Sequence, residues 1–456
     1  MAARSLVLVL VAFPLGCTPA LPGESAGDDT TGVAPGTTGE ATPTTAAGET
    51  AGATVDAVAT GASSGEPPMG PVCGDGVVDG DEACDDENDD PVDGCDGCAL
   101  APALQWIRLF DGPAHGWDNA QDVAFAADGS LLVVGSQESA VDNVDIAVRK
   151  LGPDGALVWE RSFDGPVGGT DFGFVVAVDA EDGVLVAGSV DVTPEGDSLP
   201  WLRRYTKDGE EVWTFSPDAS LPGLSAAHAV AVDGDAVYLA SREQIAMNDA
   251  HGSLRRLDRT TGALQWERFD DLADGQIAVL PGGDLLVVST TEGSAVLQWW
   301  SSGGEPGASV LYAHPGAERT FAEDVARYPD GDLAVLIGTE HDELTDARLL
   351  RFSAAGVFVS ERPIAADLEY YFLGSLTIDA QGRALVAGGV GTWDHDGFFG
   401  VYTEDGELLS SMTMDGGFGE LDSFNGIAAD PSGVALVGGV TTSDTVRDAW
   451  VVKLAP

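Results

Sequence analysis

The stretch Asp122-Val-Ala-Phe-Ala-Ala-Asp-Gly129-Ser-Leu-Leu-Val-Val-Gly135 sets the reading of the whole chain, because it returns seven times. Two apolar runs flank an Asp-Gly turn, the pattern of a β-hairpin. The same unit continues with Asp145-Ile-Ala-Val-Arg-Lys-Leu-Gly-Pro-Asp-Gly155 and then Ala-Leu-Val-Trp159-Glu-Arg-Ser-Phe163, which makes four strands. Its first turn glycine recurs at Gly129, Gly183, Gly234, Gly283, Gly331, Gly382 and Gly433, a period near 50 residues. Third strands fall in step at Ala147 to Leu151, Trp201 to Tyr205, Leu254 to Leu257, Val296 to Trp300, Arg348 to Phe352, Phe398 to Tyr402 and Trp450 to Leu454. The seventh unit stops after its third strand. Its fourth is expected at the front, where Leu104-Gln-Trp106-Ile-Arg-Leu-Phe110-Asp-Gly matches Val158-Trp159-Glu-Arg-Ser-Phe163-Asp-Gly. The pattern predicts an all-β chain whose residues 101–456 form a seven-bladed β-propeller closed by an N-terminal strand, with no open sheet edge within the ring.

Upstream, the sequence changes character twice. Arg4 followed by an apolar run from Leu6 to Leu15 reads as a secretory signal over residues 1–17, too short to span a bilayer permanently. Residues 18–70 contain no Phe, Trp, Tyr, Lys or Arg, and composition predicts a disordered tether of roughly 40 Å. A Gly-x-Ser-x-Gly match at Gly23 to Gly27 falls inside it, without the strand and helix that a hydrolase nucleophile needs. Residues 71–100 hold Cys73, Cys84, Cys95 and Cys98 among eleven acidic residues and no basic one. Export favours oxidised thiols, so two disulfides are expected, with three connectivities open. The spacing lacks the paired Cys-x-x-Cys knuckles of a zinc ribbon. Carboxylates at this density suit either a Ca²⁺ site or a solvated, disulfide-held acidic knot, and no EF-hand loop is present.

Three resemblances attach to these residues. Leu15-Gly16-Cys17 resembles the bacterial lipobox, with Pro14 where Leu is usual; it implies lipidation of Cys17 and anchoring at the outer membrane or cell surface. Lipidation of Cys17 leaves an even set of four cysteines. Cys73-Gly-Asp-Gly through Asp93-Gly94-Cys95-Asp-Gly-Cys98 resembles the myxobacterial cysteine-rich repeat, with Glu87 where glycine is usual. The repeats from residue 104 resemble quinoprotein-like and SBBP-like propellers. Asp258-Arg-Thr-Thr261-Gly262-Ala-Leu-Gln-Trp266 matches best, and Asp154-Gly155…Trp159 and Asp208-Gly209…Trp213 more weakly. In that family these tryptophans pack between blades.

Of 75 acidic and 21 basic residues, 18 acids and one arginine lie in the first hundred positions; the net charge of −54 is therefore spread along the chain. Such a coat repels nucleic acid and anionic membranes, leaves membrane contact to a lipid anchor alone, and favours a soluble monomer. No Walker loop, His-Glu-x-x-His, dinucleotide glycine pattern or sialidase-type turn occurs, and no cysteine follows Cys98, so the quinoprotein likeness implies packing rather than a cofactor. Asp394-His395-Asp396 and His341-Asp342-Glu343 read as loop polarity rather than metal ligands. The slot that opens each innermost strand holds Asp122, Val175, His228, Gln276, Asp324, Ser375 and Gly426. Asp122, His228, Gln276 and Asp324 are the ligand-binding expectation: they ring the axial channel, or else cap strands and bond to neighbouring blades. The leading expectation is a tethered, non-enzymatic binding module for a protein, glycan or small ligand. An extracytoplasmic hydrolase or lyase using propeller carboxylates, and an envelope assembly factor with a similar propeller, are the alternatives.

Overall fold

Seven four-stranded antiparallel sheets follow one another along the chain, each with its strands in order from the axis outward. The computed structural model describes residues 95–96, 99–100 and 103–455, apart from 141–142, 218–222, 247–248, 271–274, 342–343, 365–369, 392–394, 416–421 and 444–445. The expected signal and tether, Cys17, Cys73, Cys84, Cys98 and the expected Ca²⁺ ligands before residue 95 lie outside the described residues. Of Cys95 only the backbone is described, pairing with Leu100 in a two-stranded hairpin.

The innermost strands of blades 1 to 7 are Asn119–Phe125, Phe172–Val178, Ala226–Asp233, Gln276–Val279, Arg319–Arg327, Tyr370–Ile378 and Ser423–Asp430. Each contacts the next around the axis, and the seventh contacts the first, so the ring is closed. All seven anticipated third strands and the N-terminal closing strand are found. Leu104–Phe110 is the outermost strand of blade 7, its Leu104 opposite Leu454 and its Phe110 opposite Ala449.

Period-two patterning explains the stacking. In blade 1, Leu132 and Val134 join the core shared with blade 2, while Leu131 and Val133 join the core shared with blade 7. Because both faces of a blade are covered, its second strand reads as an unbroken apolar run. The described residues form seven such cores, one per blade interface. Six of the seven turn glycines have positive φ; in blade 2 Asp182 takes the left-handed conformation instead of Gly183.

Within blades, the scarce cations brace the first hairpin against the third strand: Lys150 Nζ lies 3.3 Å from Asp128, Arg204 Nη2 2.7 Å from Asp179, and Arg351 Nη2 3.0 Å from Asp332. Between blades, the tryptophans of the repeat act as bolts. Trp106, Trp159, Trp213 and Trp266 each donate Nε1–H to a carbonyl in the next blade's third-to-fourth turn, at 3.0, 3.0, 2.9 and 3.1 Å. Each ring covers the turn glycine, so a Cβ on Gly262 (φ +70°) would stand 2.6 Å from Trp213. The packing role implied by the family likeness therefore holds. Blade 4 has no Trp on its outermost strand, and there Tyr312 stacks on Phe358 with centroids 5.7 Å apart while its hydroxyl donates to Glu361.

Trp213→Ala is expected to lower the unfolding free energy by about 3–5 kcal/mol, as for other buried aromatics. Gly262→Ala, which adds a left-handed backbone cost to the clash, should also destabilise. Denaturant titration checks both, and a Gly262→Ala midpoint equal to the wild type would contradict the bolt.

Candidate functional site

The axis of the ring is where chemistry-bearing residues converge, and a register irregularity puts them there. In six blades the innermost strand skips a residue in its ladder, at Gln121, Phe174, His228, Glu323, Gly374 and Asn425, and blade 6 skips a second at Tyr371. A bulged residue leaves the ladder and is re-aimed. The following position stays paired: Asp122 with Val134, Val175 with Ala187, Ala229 with Ala240, Gln276 with Val288, Asp324 with Leu336, Ser375 with Ala387 and Gly426 with Val437. The slot anticipated for His228 is thus held by Ala229, and His228 belongs to the bulges. The first hairpin of blade 3 is tight, Asp233 pairing with Ala236, and Ala229 stands five residues before Gly234 where Asp122 stands seven before Gly129. Gly426 has no room for a side chain, since a Cβ would meet the Asp122 Cα at 2.8 Å.

The two axial aspartates bridge neighbouring blades. Asp122 accepts 2.8 Å hydrogen bonds from the amides of Val123 and of Val176 in blade 2. Asp324 repeats this with Val325 at 2.7 Å and Leu376 in blade 6 at 2.8 Å. An innermost strand has a partner on one side only, and these carboxyls satisfy amides that no further strand can reach. Burial pushes Asp122 up to about 6 and Asp324 up to about 7, against the pull of those amides; the charge of Asp122 adds to the rise at Asp324. Both residues are half-buried.

The bulges hold what the bridges leave. Glu323 is pushed up to about 8 by burial and by Asp324, with no cation opposing the rise. His228 stacks on Phe174 with centroids 5.8 Å apart, and burial together with Arg242 brings it down to about 4. Its Nε2 makes no hydrogen bond among the described residues. Asn425 ties blade 7 to blade 1, donating to Asn119 Oδ1 at 3.0 Å and to the Ala120 carbonyl at 2.9 Å. At neutral pH Glu323 therefore keeps its proton and His228 is uncharged, whereas Asp122, at about 6, is mostly ionised and Asp324, at about 7, is near its midpoint. Gln276 opens the innermost strand of blade 4, the shortest of the seven at four residues.

Two other places gather polar side chains. Asp111, Asp118 and Asp448 bring carboxylate oxygens within 4.8 Å of one another, the one group of this kind among the described residues. Asp118 spends its oxygens on the Gly112 amide at 2.5 Å and the Glu138 amide at 2.9 Å. Asp171 does the same in blade 2 toward Gly165 and Asp191, and Asp422 receives the Thr441 amide at 2.7 Å. These aspartates pin the connection between blades, and burial raises Asp171 to about 6. His341 lies outside that cluster and contacts the Gly316 carbonyl at 3.2 Å; His395 is buried. A shallow groove of about 370 Å³ lies on the rim by Arg161, Arg203, Tyr205 and Glu211. Its arginines are spent: Arg161 Nε donates to the Gly209 carbonyl at 2.7 Å, and Arg203 lies over Phe163 and 3.3 Å from Glu211.

No family model matches the chain, and no curated protein matches it. Solved structures do resemble it. A protein of unknown function from Bacteroides caccae is 15% identical with TM-score 0.41, over 64% of this chain and 96% of its own. A luciferin-regenerating enzyme is 10% identical with TM-score 0.41, over 78% and 97%. A gluconolactonase from Xanthomonas campestris is 14% identical with TM-score 0.38, over 76% and 90%. At these identities and scores the likeness assigns no activity to this chain.

A carboxyl whose folded pKa lies above its unfolded value stabilises at low pH, and that stability is lost as pH rises through the folded value. Glu323, from an ordinary 4.5 to about 8, spends the whole interval between pH 5 and 8.5 losing it. The thermal midpoint is expected to fall between those pH values in the wild type and to fall less in Glu323→Gln. Parallel slopes in the two proteins would contradict a buried, proton-holding Glu323.

Proposed function

We propose that this chain is an exported, lipid-tethered binding protein whose propeller seats a small, uncharged, polar ligand at the axial mouth. The observation that carries the reading is the division of labour on the innermost strands. Asp122 and Asp324 are committed to bridging amides, whereas no amide holds the Glu323 carboxyl and His228, stacked on Phe174, leaves Nε2 without a hydrogen bond among the described residues. A protonated carboxyl and a neutral imidazole offer donors and acceptors, which suits hydroxyl-rich ligands such as glycan ends, and the partly ionised Asp122 and Asp324 close by disfavour anions; Phe174 offers an apolar platform. The acidic surface works against anionic ligands. Lipidation at Cys17 and a disulfide-held segment at residues 71–100 complete the proposal, and they rest on sequence resemblance.

A second reading draws on Glu323 as well. A carboxyl that keeps its proton at neutral pH is poised as a general acid, so an extracytoplasmic hydrolase or lyase is the alternative.

One set of variants separates the two. The full chain is screened on a glycan array and by calorimetry against the hits, and in parallel for turnover of glycans and esters. Glu323→Ala and His228→Ala are expected to weaken binding about tenfold each, the scale of one buried hydrogen bond of about 1.4 kcal/mol. Unchanged affinity in both would refute the axial seat, and turnover abolished by Glu323→Gln would make the protein an enzyme. Metabolic labelling with a fatty-acid probe should succeed for the wild type and fail for Cys17→Ser; equal labelling would refute the anchor.

A further inference from the structure

The bridges made by Asp122 and Asp324 mark out a ring of backbone amides that face the axis, one per blade. Asp122 uses two of them at once, one oxygen accepting from Val123 of its own blade and the other from Val176 of the next, both at 2.8 Å. Asp324 takes Val325 and Leu376 in the same way, at 2.7 and 2.8 Å. Blades 1, 2, 5 and 6 are thus capped. Blades 3, 4 and 7 carry Val230, Ile277 and Ile427 at the same register, opposite Leu239, Val287 and Leu436 as Val123 is opposite Val133. No side chain among the described residues accepts from these three amides.

Ile427 lies between two capped blades, whereas Val230 and Ile277 belong to adjacent ones. The residue placed to bridge that pair is Ala229, which holds in blade 3 the slot of Asp122 and Asp324 but has no carboxyl. The wall is also more open here. Val123, Val176, Val325, Leu376 and Ile427 are 9% exposed or less, while Val230 and Ile277 are half-buried, as is all of Gln276–Val279. Two polar atoms without a hydrogen bond among the described residues lie alongside. One is His228 Nε2, on the residue before Ala229; the other is Oγ of Ser289, 4% exposed and packed against Gly275 at the head of the blade 4 strand.

We infer that the axial ligand is held by the amides of Val230 and Ile277 through a pair of neighbouring oxygens that takes the place of a third aspartate. The inference rests on the axial seat proposed above and sets the ligand within it, on the side of blades 3 and 4. A carboxylate and the vicinal diol of a sugar both present two acceptors at close spacing. The ionised share of Asp122 and Asp324 selects the uncharged one, the diol. A hydroxyl that accepts from an amide still has its proton to donate, and the uncharged His228 ring receives it at Nε2 in its Nδ1–H tautomer.

Amide exchange and chemical shifts, read by NMR on the full chain, test this. In the free protein the amides of Val230 and Ile277 should exchange about tenfold or more faster than those of Val176 and Leu376, the scale of one hydrogen bond. Methyl glucoside, mannoside and galactoside are the probes, with acetate as the charged alternative. At least one glycoside is expected to shift both amides in the wild type and neither in Ala229→Asp, whose own carboxyl fills the bridge and slows their exchange. Ala229→Ser, which copies the slot of blade 6 and is too short to bridge, should keep the response. The wild-type readings decide the matter even if Ala229→Asp does not fold. Equal exchange at the four amides, no shift at Val230 and Ile277, shifts with acetate alone, or a response that survives in folded Ala229→Asp would each overturn the inference. Affinity lost in Glu323→Ala and His228→Ala but kept in Ala229→Asp would leave the axial seat standing and overturn this placement within it.

Discussion

Everything in this molecule depends on one pairing, that of Leu104–Phe110 with Val446–Leu454. A ring of seven sheets has no free inter-blade face only if the last blade is complete, and blade 7 takes its fourth strand from the far end of the ring's own sequence, Leu104 pairing with Leu454. Without that strand, Trp106 would not cover the first blade's turn and Arg108 would not donate to the Gly155 carbonyl at 2.9 Å. The core shared by blades 7 and 1 would lose Trp106 and Phe110 from its margin. The closing strand converts a linear array of sandwiched sheets into a single cooperative body, and only such a body encloses an axis.

The charge of the chain takes on a different meaning inside that body. Many of its acids do structural work where an amide has no strand partner. Asp122 and Asp324 serve amides facing the channel, while Asp118, Asp171 and Asp422 serve amides where one blade passes to the next. Aspartate suits this role because a short carboxyl accepts two N–H bonds at once. The burial cost appears as raised pKa values at Asp122, Asp171 and Asp324. Glu323 shares the burial without the amides, and that difference singles it out.

Much of the fold was legible because sandwiched blades leave a strong trace. Both faces of each second strand are buried, so Leu131 to Val134 and their counterparts read as apolar runs ending at Asp-Gly turns. Even the closing strand was visible, through Trp106 and the Asp-Gly after Phe110. The candidate site was legible only in part. Asp122, Gln276 and Asp324 were placed correctly on the innermost strands, but His228 was put one position out of register by the shortened hairpin of blade 3. Gln121, Phe174 and Glu323 were missed, because a bulge is a property of pairing between strands and has no composition of its own. The remaining trace is a residue just before the paired slot, as in Gln121-Asp122 and Glu323-Asp324, and that is too common to stand out. Whether Asp122 and Asp324 bridge blades or face a ligand was open in the residues alone; the Val176 and Leu376 amides give them a bridging role.

Native-state hydrogen exchange at the seam tests the closed ring most directly. If the N-terminal strand is an integral part of the ring, the amides of Ile107 to Leu109 that bond to the Val446–Leu454 strand open only with global unfolding. They then share the opening free energy of Val148 in the interior of blade 1. Exchange at the seam through a separate local opening, several kcal/mol below that of Val148, would contradict the account.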